Sequence, residues 1–149
     1  MDAPAFENLD LACAKTGQAI VQNFLKELEE LKEFEKLKKL KELEKLVTSA
    51  LAVLEEQGVY ALFLFLKTRG GDAAKTIEQK ACELLRETPR QPPLLSDNDN
   101  SNGNDDVFES LQSMSKDLDK LLLARDLLRQ ALVYARYHAR VPQKAKART

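Results

Sequence analysis

Four arginines near the end of the chain, Arg125, Arg129, Arg136 and Arg140, are the residues whose type and spacing could do chemistry. An α-helix turns about 100° per residue, so with Arg125 at zero the other three fall at roughly 40°, 20° and 60°. All four share one arc, and the ridge they form is about 22 Å long at ~1.5 Å per residue. Leu123, Leu127, Ala131, Tyr134 and His138 fall between roughly 160° and 240°, which predicts an apolar face nearly opposite the arginines. From Arg125 to Arg148 the chain carries seven Lys or Arg and one acid, Asp126. Such a row suits two kinds of partner. It can track roughly three or four phosphates of one nucleic-acid strand, gaining from counterion release. It can also pair with carboxylates of an acidic protein in bidentate fashion. The plainer reading is a solvated helical face that happens to use arginine.

No other set of residues has catalytic spacing. There is one histidine, His138, and no tryptophan. Cys13 and Cys82 are far apart, match no metal spacing, and have no flanking nucleophile motif; they read as small buried apolar residues of a reducing compartment, with a disulfide disfavoured. Gly70-Gly71 lacks the pattern of a phosphate-binding loop. Asp97, Asp99, Asn102 and Asp105 lack the regular spacing and closing glutamate of a calcium loop. No catalytic residue, metal or cofactor is expected, and the chain reads as a non-enzyme that binds partners.

The elements that must position the arginines are helices. The chain has 149 residues, about one domain. Hydrophobic residues make up 44%, which excludes a disordered chain, and only 5 Gly and 5 Pro interrupt long runs of Leu, Glu, Lys and Ala. The net charge of −1 argues against coating nucleic acid over the whole surface but permits a local basic face. Residues Met1 to Asn8 show no basic-then-apolar leader, and the longest apolar run, Val59 to Leu66, falls far short of the ~20 residues of a membrane span. A cytoplasmic protein without membrane contact is expected.

Helical patterning covers Asn8 to Gln57, and Gly58 punctuates it. Leu25, Leu28, Leu31, Phe34, Leu37, Leu40, Leu43 and Leu46 recur every third residue. Each step of three falls about 60° short of a full turn, so the line wraps the helix and predicts a break near Glu33–Lys38. The seven Lys and seven Glu between Lys26 and Lys45 read as a solvated face. Val59–Leu66 is assigned to helix because no partner strand exists. Gly70-Gly71 is a turn, and Asp72 caps a helix over Ala73–Glu87 that Thr88-Pro89 ends. Residues Arg90–Asp106 are rich in Pro, Asn, Asp, Ser and Gly and predict a long disordered acidic loop that packs against nothing. Asp106 with Glu109 predicts a capping box. Helix then continues, with a break near Ser113–Ser115, to Val141, where Pro142 stops it and leaves a basic frayed tail over 142–149. The fold expected is all-α: residues 1–149 as a single-domain helical bundle of about five or six helices.

Two segments carry a family resemblance. Gln57–Gly70, QGVYALFLFLKTRG, resembles a signature of the small helical subunit of Cmr-type (type III-B) CRISPR effector complexes, with Gly58, Phe65, Arg69 and Gly70 matching best. Leu127–Val141, LLRQALVYARYHARV, is similar to that family's closing helix, where an aromatic and a basic residue stand three apart as Tyr137 and Arg140 do. An opening amphipathic helix with Ala12, Ala14 and Lys15 is also similar. Tyr137 stands where Trp is common, and the acidic loop looks like an insertion. The resemblance implies a non-catalytic subunit of a CRISPR ribonucleoprotein, whose copies stack along the guide RNA–target RNA duplex beside other subunits. Under it Lys67, Arg69, Arg125, Arg129, Arg136 and Arg140 are expected to contact RNA backbone or neighbouring subunits. The alternative left open is a helical protein–protein adaptor without a nucleic-acid role.

Overall fold

The computed structural model describes residues 8–88, 94–95 and 105–147. These form six helices and no strand: α1 (Leu9–Lys26), α2 (Glu33–Gln57), α3 (Val59–Arg69), α4 (Gly71–Glu87), α5 (Asp105–Met114) and α6 (Leu118–Ala147). The all-α bundle expected from the sequence is the fold observed. Among the described residues no helix is long and apolar enough to cross a membrane.

Asn8 starts α1, its side-chain oxygen accepting the Leu11 amide at 2.9 Å. The break in the leucine run lies at residues 27–32, just ahead of the expected Glu33–Lys38. The drift of the leucine line explains the position. With Glu33 at zero, Leu43, Leu40, Leu37 and Phe34 fall at roughly 280°, 340°, 40° and 100°. Leu40 and Leu43 are in the core, Leu37 is at its edge, and Phe34 has swung out to 79% exposure. Continuing the helix backwards would carry Leu31 to roughly 160°, off the buried arc, and Leu28 to roughly 220°, at its far edge. Breaking it keeps both half-buried.

Gly58 joins α2 to α3 at φ +99°, a conformation a side chain would strain. Its amide donates to the Leu54 carbonyl at 3.0 Å, and its own carbonyl accepts the Leu62 amide at 3.1 Å. The apolar run is helical as expected, burying Val59, Leu62, Phe63 and Leu66. α4 begins at Gly71, so Asp72 lies inside the first turn rather than at the cap.

Three further expectations are corrected. The stretch 90–106 does pack in part: Leu94 and Leu95 are buried, and both amides donate to the Leu85 carbonyl at 3.0 and 3.1 Å. Two adjacent leucines anchor a segment whose average composition is too polar to fold. The rest of that stretch up to 104, with Asp97, Asp99 and Asn102, lies outside the described residues. Second, α5 begins at Asp105, so Asp106 falls within the helix rather than capping it. The break between α5 and α6 spans residues 115–117, meeting the expected Ser113–Ser115 only at Ser115. Third, Pro142 does not end α6, which runs on to Ala147. A proline removes one helical hydrogen bond at roughly 3 kcal/mol. Here the turn is braced by Gln143, whose side-chain nitrogen donates to the Ala139 carbonyl at 2.9 Å and to Glu44 at 3.1 Å. The tail of 142–149 is therefore helical as far as 147, and 148–149 lie outside the described residues.

α6 is the hub and packs most extensively on α1 and α2. Its buried residues are Ala124, Leu127, Leu128, Ala131, Leu132, Ala135 and Ala139. α1 crosses it at Gly17. A β-carbon there would lie 2.6 Å from the Ala135 nitrogen, 2.7 Å from Tyr134 Cβ and 2.8 Å from the Ala131 oxygen. Gly17→Ala gains about 1 kcal/mol of helix propensity but forces backbone apart at a typical cost of ~1–3 kcal/mol. Thermal unfolding followed by circular dichroism is expected to show a net fall in midpoint. A variant as stable as the parent would mean that the two helices do not touch there.

Candidate functional site

The structure places the arginine ridge differently from the sequence expectation. With Arg125 at zero, the buried residues of α6 span roughly 200° to 340°, not 160° to 240°. The arginines therefore flank the buried face instead of standing opposite it. Leu123, Tyr134 and His138, three of the five residues of the expected apolar face, are only half-buried. The small residues Ala124, Ala135 and Ala139 are part of the buried face together with Leu127, Leu128, Ala131 and Leu132.

Flanking puts the ridge against α2. Glu44 and Glu55 are eleven residues apart, three helical turns, and share one edge of that helix. Arg140 Nε donates to Glu44 Oε2 at 2.6 Å. Arg129 pairs with Glu55 at 3.8 Å and with Asp126 at 3.6 Å. Arg125 donates to the Glu55 carbonyl at 3.4 Å. Arg136 is half-buried, and its Nε is covered with no hydrogen-bond partner among the described residues. Partial burial alone would raise the Glu44 pKa. The hydrogen bonds from Arg140 and Gln143 and the charges of Arg140 and Arg136 outweigh it and hold the carboxyl below its ordinary value. The ridge is thus a seam between two helices, with Arg129 and Arg140 paired to acids.

The two cations expected on α3 are not part of that seam. Lys67 pairs with Glu78 of α4 at 3.0 Å. Arg69 is exposed at the end of α3 and has no acidic partner among the described residues. Lys67 lines an open cleft of about 740 Å³ between α3 and α4. Its charges are mixed, with Lys67, Lys75, Lys80 and Arg86 beside Asp72, Glu78 and Glu83.

Both cysteines are free and buried. Burial pushes each thiol up to about 11, and Cys13 Sγ donates to the Leu127 carbonyl at 3.3 Å. They behave as core residues. Among the described residues no group of three His, Cys, Asp or Glu converges as a metal site. Tyr134 OH donates to Asp10 at 2.8 Å and ties the start of α1 to α6; that hydrogen bond to a carboxylate raises the phenol pKa.

Comparison with protein families, curated proteins and solved structures finds no match to this chain.

The seam makes a pH prediction. A carboxyl whose folded pKa is depressed stabilises fully above its unfolded pKa, and that contribution is lost as pH falls through the folded value. Glu44→Gln should therefore be less stable than the parent near neutral pH, by about 1 kcal/mol or ~2–4 °C. The gap should close as pH is lowered below the ordinary glutamate range of about 4. Melting curves of both proteins across that range check it; a gap that is absent or independent of pH would remove Glu44 from the seam.

Proposed function

We propose that this protein is a non-catalytic helical adaptor that works by docking onto partner proteins. One observation carries the reading. Arg125, Arg129 and Arg140 are engaged with Glu55 and Glu44 of α2, while several large apolar side chains stand exposed on the described surface. Phe34 is 79% exposed, Leu118 65%, Val141 64% and Tyr137 55%. Aromatic residues with open faces are what protein interfaces select. An exposed guanidinium pair contributes only about 0–1 kcal/mol, so the seam itself could be opened, but only by a ligand that replaces Glu44 and Glu55 in kind.

A second reading keeps the small subunit of a type III-B CRISPR complex, bound to guide RNA and target RNA, other subunits and further copies of itself. It is favoured by exposed cations with no acidic partner among the described residues, such as Arg69, and Lys38, Lys41 and Lys45 on the outer side of α2. RNA contact would fall to these instead of the ridge.

Affinity purification of the tagged protein from its native host, with and without nuclease, separates the two. The adaptor reading expects the same partner proteins in both samples and no co-purifying RNA. RNA in the untreated sample, lost steeply between about 0.05 and 0.2 M salt, together with partners lost after nuclease, would favour the ribonucleoprotein.

A further inference from the structure

Where α2 begins and the last turns of α6 lie beside it, Phe34, Leu37, Lys38, Lys41 and Gln143 line an open groove of about 350 Å³. Its floor is apolar and its rim is cationic. Phe34 is nearly fully exposed, and Leu37 is half-buried against the core. Lys38 and Lys41 are exposed and pair with no acid among the described residues. Of the acids nearest in sequence, Glu42 pairs with Lys39 at 3.6 Å and Glu44 with Arg140, while Glu33 and Glu35, on either side of Phe34, are exposed and do not line the groove. Gln143, held by Glu44 and the Ala139 carbonyl, fixes one wall.

We infer that this groove is the docking site for an acidic segment of a partner protein that anchors a large apolar side chain beside Phe34. The inference rests on the adaptor reading and names its surface. Charge complementarity selects the occupant. The rim lysines have no acidic partner among the described residues, and residues 144–149 add Lys144, Lys146 and Arg148 to the sequence immediately after Gln143 and no acid. The same charge excludes that basic stretch as an occupant. The polar stretch 96–104 is acidic but has no apolar residue for the floor.

Shape and reach argue against other anionic partners. Sequence-independent nucleic-acid surfaces line several aromatic rings along a basic track. This groove has one ring beside an aliphatic floor, and Lys38 to Lys45 spans only about 10 Å of helix. A bilayer takes up apolar groups that project together from an amphipathic face, whereas here the leucine is recessed. A cleft of this size suits one or two anchoring side chains, at the lower end of the roughly 300–1,000 Å³ range of ligand pockets.

The test uses the purified full chain and a fluorescein-labelled helix-forming peptide with leucines on one face and glutamates flanking them. Its partner probe carries lysine in place of glutamate. Fluorescence anisotropy is expected to show saturable binding of the acidic peptide and none of the basic one. Phe34→Ala, and separately Lys38→Glu with Lys41→Glu, should each weaken binding by about tenfold or more. Lys15→Glu, on α1, should leave it unchanged. Phe34 is exposed, so circular dichroism should show a native fold in every variant. The inference is overturned if the acidic peptide fails to bind by about 1 mM, or binds the Phe34 variant equally well. It is also overturned if labelled single-stranded RNA or phosphatidylserine vesicles, and not the peptide, show the dependence on Phe34 and the two lysines. Because the assay holds no cellular partner, failure here leaves the adaptor reading to the purification experiment above.

Discussion

The backbones of α1 and α6 meet at Gly17 more closely than any side chain would allow. The arrangement of the other helices depends on that contact. With α1 seated against Ala131 and Ala135, one flank of α6 is taken, and its alanines leave space for the crossing. The other flank must be covered by a second helix, and α2 supplies it with Leu40, Leu43, Val47, Ala50 and Leu54. Once α2 lies there, its Glu44 and Glu55 edge has no place to go but along the arginines.

The seam that results sets register more than it drives folding. Arg129 and Glu55 are both about half exposed and 3.8 Å apart, a geometry that contributes ~0–1 kcal/mol. Arg140 and Glu44 are closer, at 2.6 Å, with Glu44 mostly covered and Arg140 45% exposed; screening on the open side leaves the pair about 1 kcal/mol. Burying each core leucine between the helices contributes more, roughly 1.5–3 kcal/mol, and there are many of them. The apolar contacts therefore hold α2 on α6, while the charges decide how far it slides and which edge faces in. Pairing Arg129 and Arg140 with acids of α2 also neutralises part of the cationic stripe, while both side chains stay about half exposed.

Much of this was legible in the residues. Helix formers, the scarcity of glycine and proline, and the punctuation at Gly58 and Gly70 define the helices to within a few residues. The drift of a leucine line with period three announces a break and, followed further, the exposure of Phe34. Other features were hidden for physical reasons. Pro142 is a helix breaker in isolation, but a neighbouring helix that holds Gln143 overrides it. Leu94 and Leu95 are lost in the composition of their surroundings, because packing is decided by single side chains and composition by averages. The arginine arc follows from helix periodicity on its own helix. Its fate turned on a tertiary neighbour, and the eleven-residue spacing of Glu44 and Glu55 was the signal that could have named it. Alanines misled most, since a face built from small residues looks weakly hydrophobic while permitting the closest approach.

The claim on which the functional account turns is that the ridge pairs with α2 and is not an open ligand surface. A charge-swap cycle at Glu44 and Arg140 tests it directly. Glu44→Arg alone and Arg140→Glu alone should each lower stability in denaturant unfolding, since each sets like charges together in the seam. Combining them should restore most of the loss, with a coupling of about 1 kcal/mol or more. Single variants as stable as the parent, or a double variant whose losses simply add, would show that the two side chains do not act on each other, and the arginines would then be free to bind a partner.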